Sequence, residues 1–411
     1  MTWYNEFTMA LSFFTKQKQN EKLVLLVDVG SSSVGVALVL IARDRAPHVV
    51  LSLREDISFQ EVLSSTGFLF AMNHALDKVL KRVSGKMSNP KNSLPAPFSE
   101  APAQVFCTLS SPWFILKTRQ IHITKNAEFE VSEQVLDTFI NEDIVALRED
   151  LKETLPPEDL RIIEKKIIHI KLNGYEIKNP YKQKTSRLEM AVTVGVSSEK
   201  VTKSIERKIN TFFHTNEVRF GAFPVALFNA VRDIFPNEKD FLFLDITGES
   251  TDVSRVENDI LSNTISFSRG KNFFIREISA RLRTVHVEAE SLFAMYLRNE
   301  LDKKKTAQVA ETVAQIEEEW LIRFTKALTK LSENGSIARK IFFTTDTDIA
   351  PLFLNLLNKA KSDYLITKSF EVQYLDQFIV SKYVSFESGA IRDPFVVIEA
   401  LLAEKITKQE L

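Results

Sequence analysis

The sequence predicts a mixed α/β protein with two related lobes, and two strand–turn–strand segments carry this prediction. The first begins with a continuously apolar strand at 23–27, breaks at a polar, glycine-containing turn starting at Asp28, and continues as a strand at 34–41. The second begins with an apolar strand at 241–246, whose polar turn starts at Asp245. Because the two turns lie 217 positions apart in similar surroundings, we interpret them as an internal repeat of one structural device.

The segments between and after these turns add helices and a separate α+β unit. A helix is predicted around 60–83 from apolar positions at Val62, Leu63, Phe70, Leu76, Val79 and Leu80. Residues 85–103 contain four prolines and predict a linker at the first domain boundary. Residues 104–200 predict a compact α+β unit with strands at 105–109, 114–123, 165–172 and 190–195 and helices at 132–148 and 198–213. Further helices are predicted at 303–333 and from Asp393, a good N-cap, with a short strand at 341–344.

Composition excludes several classes of protein. The chain has 411 residues, of which 44% are apolar and 26% charged, as in globular proteins that fold into more than one domain. With 53 basic and 54 acidic residues the net charge is −1, so the field expected of a nucleic-acid binder is missing. A single cysteine excludes an intrachain disulfide and fits a cytosolic location. No apolar run approaches the roughly 20 residues needed to span a bilayer, so we expect any membrane contact to be peripheral.

The first twenty residues carry an amphipathic pattern. Their apolar residues recur at near-helical spacing and are followed by Lys16 and Lys18; they are Trp3, Tyr4, Phe7, Leu11 and Phe14. This pattern is typical of a short helix lying at a membrane surface, and residues 3–16 are the candidate anchor. The alternative is a segment docked on the protein's own body or on a partner.

Both turns carry the residue types that hold a phosphate chain, namely small residues, hydroxyls and backbone amides with a carboxylate at the strand end. Together they offer Asp28, Gly30, Ser31, Ser32, Ser33, Asp245, Gly248, Ser250, Thr251 and Asp252. Asp28 and Asp245 are the candidate magnesium ligands, because carboxylates hold magnesium directly or through water. A single such turn is better explained as ordinary turn chemistry. The pair, in corresponding places, favours a clamp that holds a nucleotide from both sides.

The chain also resembles a known family. Residues 28–34 read Asp-Val-Gly-Ser-Ser-Ser-Val, very close to the form in PilM proteins, as are residues 11–16. Residues 174–180 and 187–190 are similar to a segment of the SHS2-type subdomain of FtsA proteins. Over about residues 22–400 the chain thus resembles the FtsA/PilM family of the actin/Hsp70/sugar-kinase superfamily. The resemblance implies a two-lobed actin-like ATPase fold with an inserted SHS2-type α+β subdomain, which binds ATP and magnesium between its lobes.

The resemblance also implies a division of the chain. Residues 1–21 form the N-terminal segment, 22–103 with 201–238 the first actin-like lobe, and 104–200 the SHS2-type subdomain. Residues 239–389 form the second lobe, and a C-terminal helix at 390–411 returns to the first lobe. The inserted subdomain is the part expected to recruit a partner.

The second turn departs from the family pattern. Where the family has three consecutive glycines, this chain reads Thr247-Gly248-Glu249. The Glu249 carboxylate then stands where phosphates would sit. At an effective dielectric constant of about 20, like charges about 4 Å apart repel by roughly 4 kcal/mol unless magnesium intervenes. We therefore expect the phosphate site to be partly eroded.

The expected adenosine pocket is altered as well. Glu290 matches the family's pocket glutamate, but Phe293 stands where a lysine is expected. Thr344 and Thr345 stand where the family's adenosine loop carries glycines, and their side chains would crowd a purine. Gly270 matches a family glycine near the ribose. These positions predict weak or lost ATP binding and at most a weak ATPase, and the sequence identifies no catalytic residue.

The resemblance implies two functions. The first is a cytoplasmic scaffold of a membrane-associated assembly, type IV pilus assembly by likeness to PilM, which binds the cytoplasmic tail of an inner-membrane protein at the inner face of the cell membrane. The alternative is an FtsA-like cell-division ATPase that anchors or polymerises at the membrane, and a homo-oligomer is compatible with either. FtsA-type proteins end in a membrane helix, whereas the tail after Leu402 is short and polar, which favours the pilus-type interpretation. A small-molecule kinase shares the fold, but we identify no substrate-binding carboxylate for it.

Overall fold

The structure is a computed structural model, which describes residues 21–88, 101–215, 217–333, 335–360 and 369–410. The strands are β1 Glu21–Val29, β2 Ser33–Ala42, β3 His48–Asp56, β4 Gln104–Leu109, β5 Phe114–Glu130, β6 Leu160–Leu172, β7 Tyr175–Glu176, β8 Lys184–Ser198, β9 Arg219–Ala222, β10 Phe241–Ile246, β11 Thr251–Glu257, β12 Ile260–Phe267, β13 Lys340–Thr345, β14 Glu371–Tyr374 and β15 Ser385–Phe386. The helices are α1 Ser65–Ser88, α2 Glu133–Leu151, α3 Glu199–Phe213, α4 Phe223–Ile234, α5 Lys271–Leu282, α6 His286–Leu297, α7 Lys303–Ser332, α8 Ala350–Lys359, α9 Gln377–Val380 and α10 Pro394–Lys408. The predicted amphipathic helix at 3–16 lies outside the described residues.

The first sheet has the strand order β15-β3-β2-β1-β4-β9. Strands β1, β2 and β3 form an antiparallel meander, whereas β4 runs parallel to β1 and β9 parallel to β4. The residues 23–27 at its centre are all buried, which explains the continuous apolar run, because helices cover both faces of such a sheet. Helices α4 and α10 pack against each other, and α10 also lies against β1 and β2.

The second sheet repeats the same plan in the order β12-β11-β10-β13-β14. Its antiparallel meander of β10, β11 and β12 corresponds to β1, β2 and β3, and the parallel strands β13 and β14 correspond to β4 and β9. The internal repeat predicted from the two turns is therefore confirmed as a repeat of whole sheets. The core of this lobe is rich in aromatic rings, and Trp320 of α7 stacks on Phe324 at 5.3 Å between ring centroids.

A third sheet, ordered β5-β8-β6-β7, lies between β4 and α3 along the chain. Helix α2 covers it, and its N-terminus is capped as the sequence predicts, because the Ser132 side chain accepts a hydrogen bond from the Val135 N–H group. This sheet is entirely antiparallel, with α2 supplying a separate apolar core.

Three boundaries differ from the sequence-based expectations. Strand β4, predicted inside the 104–200 unit, pairs with β1 in the first sheet, so the separate sheet begins at Phe114. The chain returns to the first lobe before residue 390, because β15 pairs with β3 and Val380 is part of the first core. The helix predicted around 60–83 starts at Ser65, and Val62, assigned to it from its apolar character, lies 82% exposed in the preceding loop. The predicted start of this helix was wrong, because exposed apolar residues in the loop have the spacing expected of one face of a helix.

The last helix begins as the sequence predicts. Asp393 caps α10 by accepting the Phe395 N–H group, and Pro394 occupies the first helical position. Within the described ranges, no helix combines the length and the apolar character that crossing a bilayer requires.

Candidate functional site

The two predicted turns meet directly across the cleft between the lobes. The first turn joins β1 to β2 and the second joins β10 to β11. The Ser31 hydroxyl donates to Thr247 Oγ1 at 2.7 Å, and the Glu249 backbone N–H group donates to Ser31 Oγ at 2.8 Å. The structure thus brings the tips of the two turns together. A hydroxyl and an amide that could otherwise hold a phosphate are used instead to join the turns to each other.

Two glycines allow the backbone to pack closely around the second turn. A Cβ atom added to Gly248 would lie 2.7 Å from Cβ and 3.0 Å from Cα of Ser32, on the opposite turn. A Cβ atom added to Gly270 would lie 2.7 Å from the Gly248 carbonyl oxygen. Gly270 is therefore packed against the second turn of its own lobe. A side chain at 248 would force the two turns apart, whereas one at 270 would push the start of α5 away from the second turn.

The N-terminus of α5 is also engaged by the second turn. The backbone N–H groups of Lys271 and Asn272 donate to the carbonyl oxygens of Thr247 and Gly248, at 3.0 and 2.7 Å. The first amides of a helix are the usual donors to a bound anion. Here they are already satisfied by carbonyl groups of the same lobe, so they are not free to hold phosphate.

Glu249 is buried beside a cation rather than left in conflict with a phosphate. Only 4% of the residue is exposed. Its carboxylate accepts a hydrogen bond from Asn272 Nδ2 at 2.7 Å, one from an Arg276 guanidinium nitrogen at 3.2 Å, and a second, shorter one from the same guanidinium. Arg276 in turn donates to the backbone oxygen of Gln60 in the first lobe at 3.1 Å. The sequence indicated a negative charge at this turn, but the pair that neutralises it appears only in the fold.

Asp28, the first candidate magnesium ligand, is held by an arginine. Arg54 donates to Asp28 at 2.6 Å, to Asp393 at 2.7 Å and to Ser33 Oγ at 2.9 Å. Burial raises the pKa of Asp28, and the Asp393 charge adds to this rise, while Arg54 opposes it. The pKa of buried Glu399 on α10 is raised well above its usual value by burial and by Asp28. One guanidinium thus balances a group of buried carboxyls, of which Glu399 is held towards its protonated form.

Asp245, the second candidate magnesium ligand, has no such cation among the residues that the structure describes. It accepts a hydrogen bond from the Thr344 hydroxyl at 3.1 Å, and it is paired in register with Asp252 on β11. Burial and then the Asp252 charge raise the pKa of Asp245 well above its usual value. Burial also raises the pKa of Asp252 to about 6, although the Ser111 hydroxyl donates to it at 2.6 Å. Within the described part of the chain, the Oδ2 atom of each aspartate lacks a hydrogen-bond partner.

These contacts test the fit of a magnesium nucleotide between the turns. The amides and the Ser31 hydroxyl are already used, the Glu249 carboxylate supplies a negative charge, and Arg54 occupies the carboxylate of Asp28. Among the described side chains, no group of three or more His, Cys, Asp or Glu residues is arranged to hold a metal ion. In this arrangement the residues present do not fit a triphosphate with its metal. The binding of ATP and magnesium therefore stays a prediction drawn from the fold.

The remaining predicted residues have structural partners. Ser250 donates to the Ser111 backbone oxygen at 2.9 Å, and Thr251 donates to that of Arg269 at 2.7 Å. Thr344 and Thr345 are buried in β13. Ser32 and Gly30 contribute backbone oxygens, which accept from the N–H group of Ile57 at 2.7 Å and from Trp113 Nε1 at 2.7 Å.

The predicted adenosine-pocket helix has a different role. Glu290 lies exposed on α6, away from the buried face of that helix. Phe293, which replaces the expected lysine, is buried and stacks on Phe274 of α5 at 5.5 Å between ring centroids. The substitution therefore extends the aromatic core of the second lobe.

Sequence reasoning missed the cations of the site. Arg54 and Arg276 each directly follow a mainly apolar stretch, at 50–53 and 273–275. A charged residue in such a stretch signals a buried partner, and the buried Glu249 equally requires a cation. Their pairing joins residues 26 or more positions apart, which a pattern in one sequence does not reveal.

Two grooves lie beside the turns. A groove of about 1130 Å³ is bounded by the start of α1, residues 111–117, residues 196–201 and β12. A second groove of about 610 Å³, which we call the α1–α3 groove, is lined among others by Thr66, Phe70, Lys200, Lys203 and Arg207. Phe70 is 75% exposed there, and the three basic residues are exposed as well.

Two lobes with the same sheet plan, joined at the tips of their equivalent turns, define an actin-like ATPase fold. The chain is similar to the solved PilM-PilN type IV pilus biogenesis complex, with a TM-score of 0.61 and 12% identity over 94% of this chain and 98% of that chain. At this identity the likeness shows the fold alone. No protein-family model matches the sequence, and no curated protein matches it.

Two further structures are more distant. The ethanolamine utilization protein EutJ from Carboxydothermus hydrogenoformans has a TM-score of 0.42 and 10% identity over 93% of this chain and 89% of that chain. A protein with an actin-like ATPase fold from Bacteroides thetaiotaomicron has a TM-score of 0.41 and 10% identity over 94% of this chain and 97% of that chain. The conclusions below do not depend on either.

Proposed function

We propose that this protein is an actin-like scaffold of a membrane-associated assembly, of the type IV pilus class, and that it binds the cytoplasmic tail of an inner-membrane protein. The observation that supports this most is the likeness to the PilM-PilN complex, which extends over almost the whole of both chains. The third sheet, which lines the larger groove, and α3, which lines both grooves, supply the partner surface. The protein works at the inner face of the cell membrane and has weak or lost ATP binding.

The α1–α3 groove defines the chemistry of the partner. Phe70 offers an exposed ring beside it, and Lys200, Lys203 and Arg207 offer positive charge along α3. An exposed ring surrounded by cations fits a short segment with an apolar anchor and acidic neighbours. We therefore infer that the bound tail is acidic and carries at least one large apolar side chain.

A photo-crosslinking amino acid at position 70 tests this surface in cells. Its matched control is position 322 on α7, where Ile322 is also apolar and 49% exposed. We expect position 70, and not 322, to capture an inner-membrane protein through its cytoplasmic tail. The tail peptide should then bind the purified protein, and Lys203→Glu should weaken it at least tenfold while Lys326→Glu on α7 leaves it unchanged. Equal capture at both positions, or a tail that ignores Lys203→Glu, contradicts the proposal.

Membrane contact through residues 3–16 is a separate part of the proposal and rests on the spacing of their apolar residues. Co-sedimentation with anionic liposomes compares the full chain with a chain lacking residues 1–18. We expect the shortened chain to stay in the supernatant, and unchanged co-sedimentation would discard the anchor. The FtsA-like alternative instead requires filaments that form with magnesium ATP, which electron microscopy would detect.

A further inference from the structure

The side chains around Glu249 have the composition of an oxyanion site. The Arg276 guanidinium contacts both carboxylate oxygens, and the Asn272 amide donates to one of them at 2.7 Å. A guanidinium fork that holds two oxygens is the geometry that proteins use for carboxylate and phosphate groups alike. The ligand of this site, however, is a side chain of the protein itself.

The position of this carboxylate gives it a role between the lobes. Glu249 belongs to the second turn, and its backbone N–H group bonds Ser31 of the first turn. Arg276, on α5 of the second lobe, donates to the backbone oxygen of Gln60 in the first lobe at 3.1 Å. The carboxylate and its guanidinium thus connect the second turn, helix α5 and the loop after β3 through partly buried contacts.

The loop after β3 makes further contacts in the same place. Phe59 stacks on His286 of α6 with 5.1 Å between ring centroids, and Arg276 lies over the Phe59 ring at 5.4 Å. Glu61 contacts the His286 ring nitrogen at 3.0 Å. First-lobe residues 59–61 therefore rest on α5 and α6 of the second lobe, and they contact Arg276, the partner of Glu249.

We propose that the Glu249 carboxylate is a built-in oxyanion, which fills the site formed by Arg276 and Asn272 and holds the two lobes closed without a bound nucleotide. Where a bound phosphate group would bridge two such turns, this chain bridges them with its own side chain and with the direct bond from Glu249 to Ser31. Removal of the carboxylate leaves an empty site for a small free oxyanion, of which inorganic phosphate is the probe. The inference concerns the cleft and is independent of the partner proposed above.

The test uses the full chain and the variant Glu249→Ala. Melting temperature and calorimetry are measured with sodium phosphate against sodium chloride at equal ionic strength. We expect a saturable rise in the melting temperature of Glu249→Ala with phosphate and heat of binding at one site, because a ligand stabilises the state that binds it. The wild-type protein should show neither effect, nor bind magnesium ATP at high micromolar concentration.

Two further variants separate a specific site from a general salt effect. In Glu249→Ala combined with Arg276→Gln, the phosphate effect should disappear, because the guanidinium fork is lost. Glu277 lies on the same helix as Arg276 and, among the ion pairs described, pairs only with Arg281. Glu277→Ala should therefore behave as the wild type does. If Glu249→Ala does not fold in chloride, its refolding yield in phosphate is measured instead, and recovery to a yield near that of the wild type is expected.

Three results would overturn the inference. They are a wild-type protein stabilised by phosphate as strongly as Glu249→Ala, a Glu249→Ala protein that neither binds nor is rescued by phosphate, and a phosphate effect that survives the loss of Arg276. Failure of the partner experiments leaves this result unaffected, since no variant here lies in the α1–α3 groove.

Discussion

The two lobes use one backbone device, but they balance its buried aspartate in different ways. At the end of β1, Asp28 lies 2.6 Å from the Arg54 guanidinium. At the end of β10, Asp245 has the Thr344 hydroxyl and the neighbouring Asp252, and burial raises the pKa of both aspartates. Burial raises the pKa of Asp28 as well, but there Arg54 opposes the rise, whereas at Asp245 the Asp252 charge adds to it. The first lobe therefore balances its buried acid with a fixed cation, and the second lobe favours a proton.

A repeat of strands and turns therefore does not imply a repeat of the electrostatics of the site. The sheet order is the same in both lobes, because it is set by which strands are apolar and adjacent. The charge balance depends on single side chains within the repeat, such as Arg54 on β3, and on residues outside it, such as Asp393 before α10. The two lobes are consequently expected to respond differently to the loss of a cation and to pH.

The largest expected effect follows from removing the cation of the first lobe. Arg54→Met leaves Asp28 and Asp393 buried without their shared partner. Removing one member of a buried ion pair costs about 3–5 kcal/mol, so we expect the free energy of unfolding to fall by about that amount in urea titrations at pH 7. Lys78→Met, which loses a half-exposed pair with Glu55, is the control and should lose about 1 kcal/mol or less. Equal losses would mean that Arg54 is not the counter-charge of this lobe.

The second prediction concerns pH in the second lobe. The pKa of Asp252 is about 6 in the folded protein and 3.8 as the reference value, so folding favours its protonated form. This stabilisation is present below pH 3.8, is lost as the pH rises, and is gone above about pH 6. Asp252→Asn stays neutral throughout. We expect the free energy of unfolding of Asp252→Asn, minus that of the wild type, to rise by about 3 kcal/mol between about pH 4 and 6 and then to level off. This size follows because each unit of pKa shift corresponds to about 1.36 kcal/mol.

Urea titrations of both proteins at several pH values check this profile. The exposed Asp44, in the turn after β2, provides Asp44→Asn as a control whose difference from wild type should stay flat over the same range. A flat difference for Asp252→Asn as well would show that folding does not raise the pKa of Asp252.

The sequence predicted much of the fold but only part of the site. The apolar strands and polar turns at Asp28 and Asp245 are local patterns, and they were sufficient to predict the two lobes. The placement of β4 in the first sheet was not predictable, because a short apolar strand after a linker fits either neighbouring sheet. The residues 247–249 predicted an altered turn, but neither Arg276 nor Arg54 has a local pattern that reveals which acid it contacts.

The smallest of the three predicted effects compares the two turns at their glycines. A Cβ atom on Gly248 would meet Ser32 of the opposite turn at 2.7 and 3.0 Å, whereas one on Gly30 would meet only the Ser33 carbonyl oxygen of its own turn, at 3.1 Å, among described atoms within 4 Å. Gly248→Ala must therefore move one lobe against the other, at a cost of about 1–3 kcal/mol for an overpacked contact. Gly30→Ala requires a shift of a few tenths of an ångström within one turn, and its cost should be lower.

Hydrogen exchange distinguishes these two variants by location. Because the Glu249 N–H group bonds Ser31 across the cleft, Gly248→Ala should speed its exchange, and Gly30→Ala should change it less. Gly85→Ala is the control in α1, where no described atom outside its own helix lies within 4 Å of the added methyl group, and it should stabilise the protein by up to about 1 kcal/mol. If Gly248→Ala exchanged at Glu249 as slowly as the wild type, the contact between the turns would tolerate side chains.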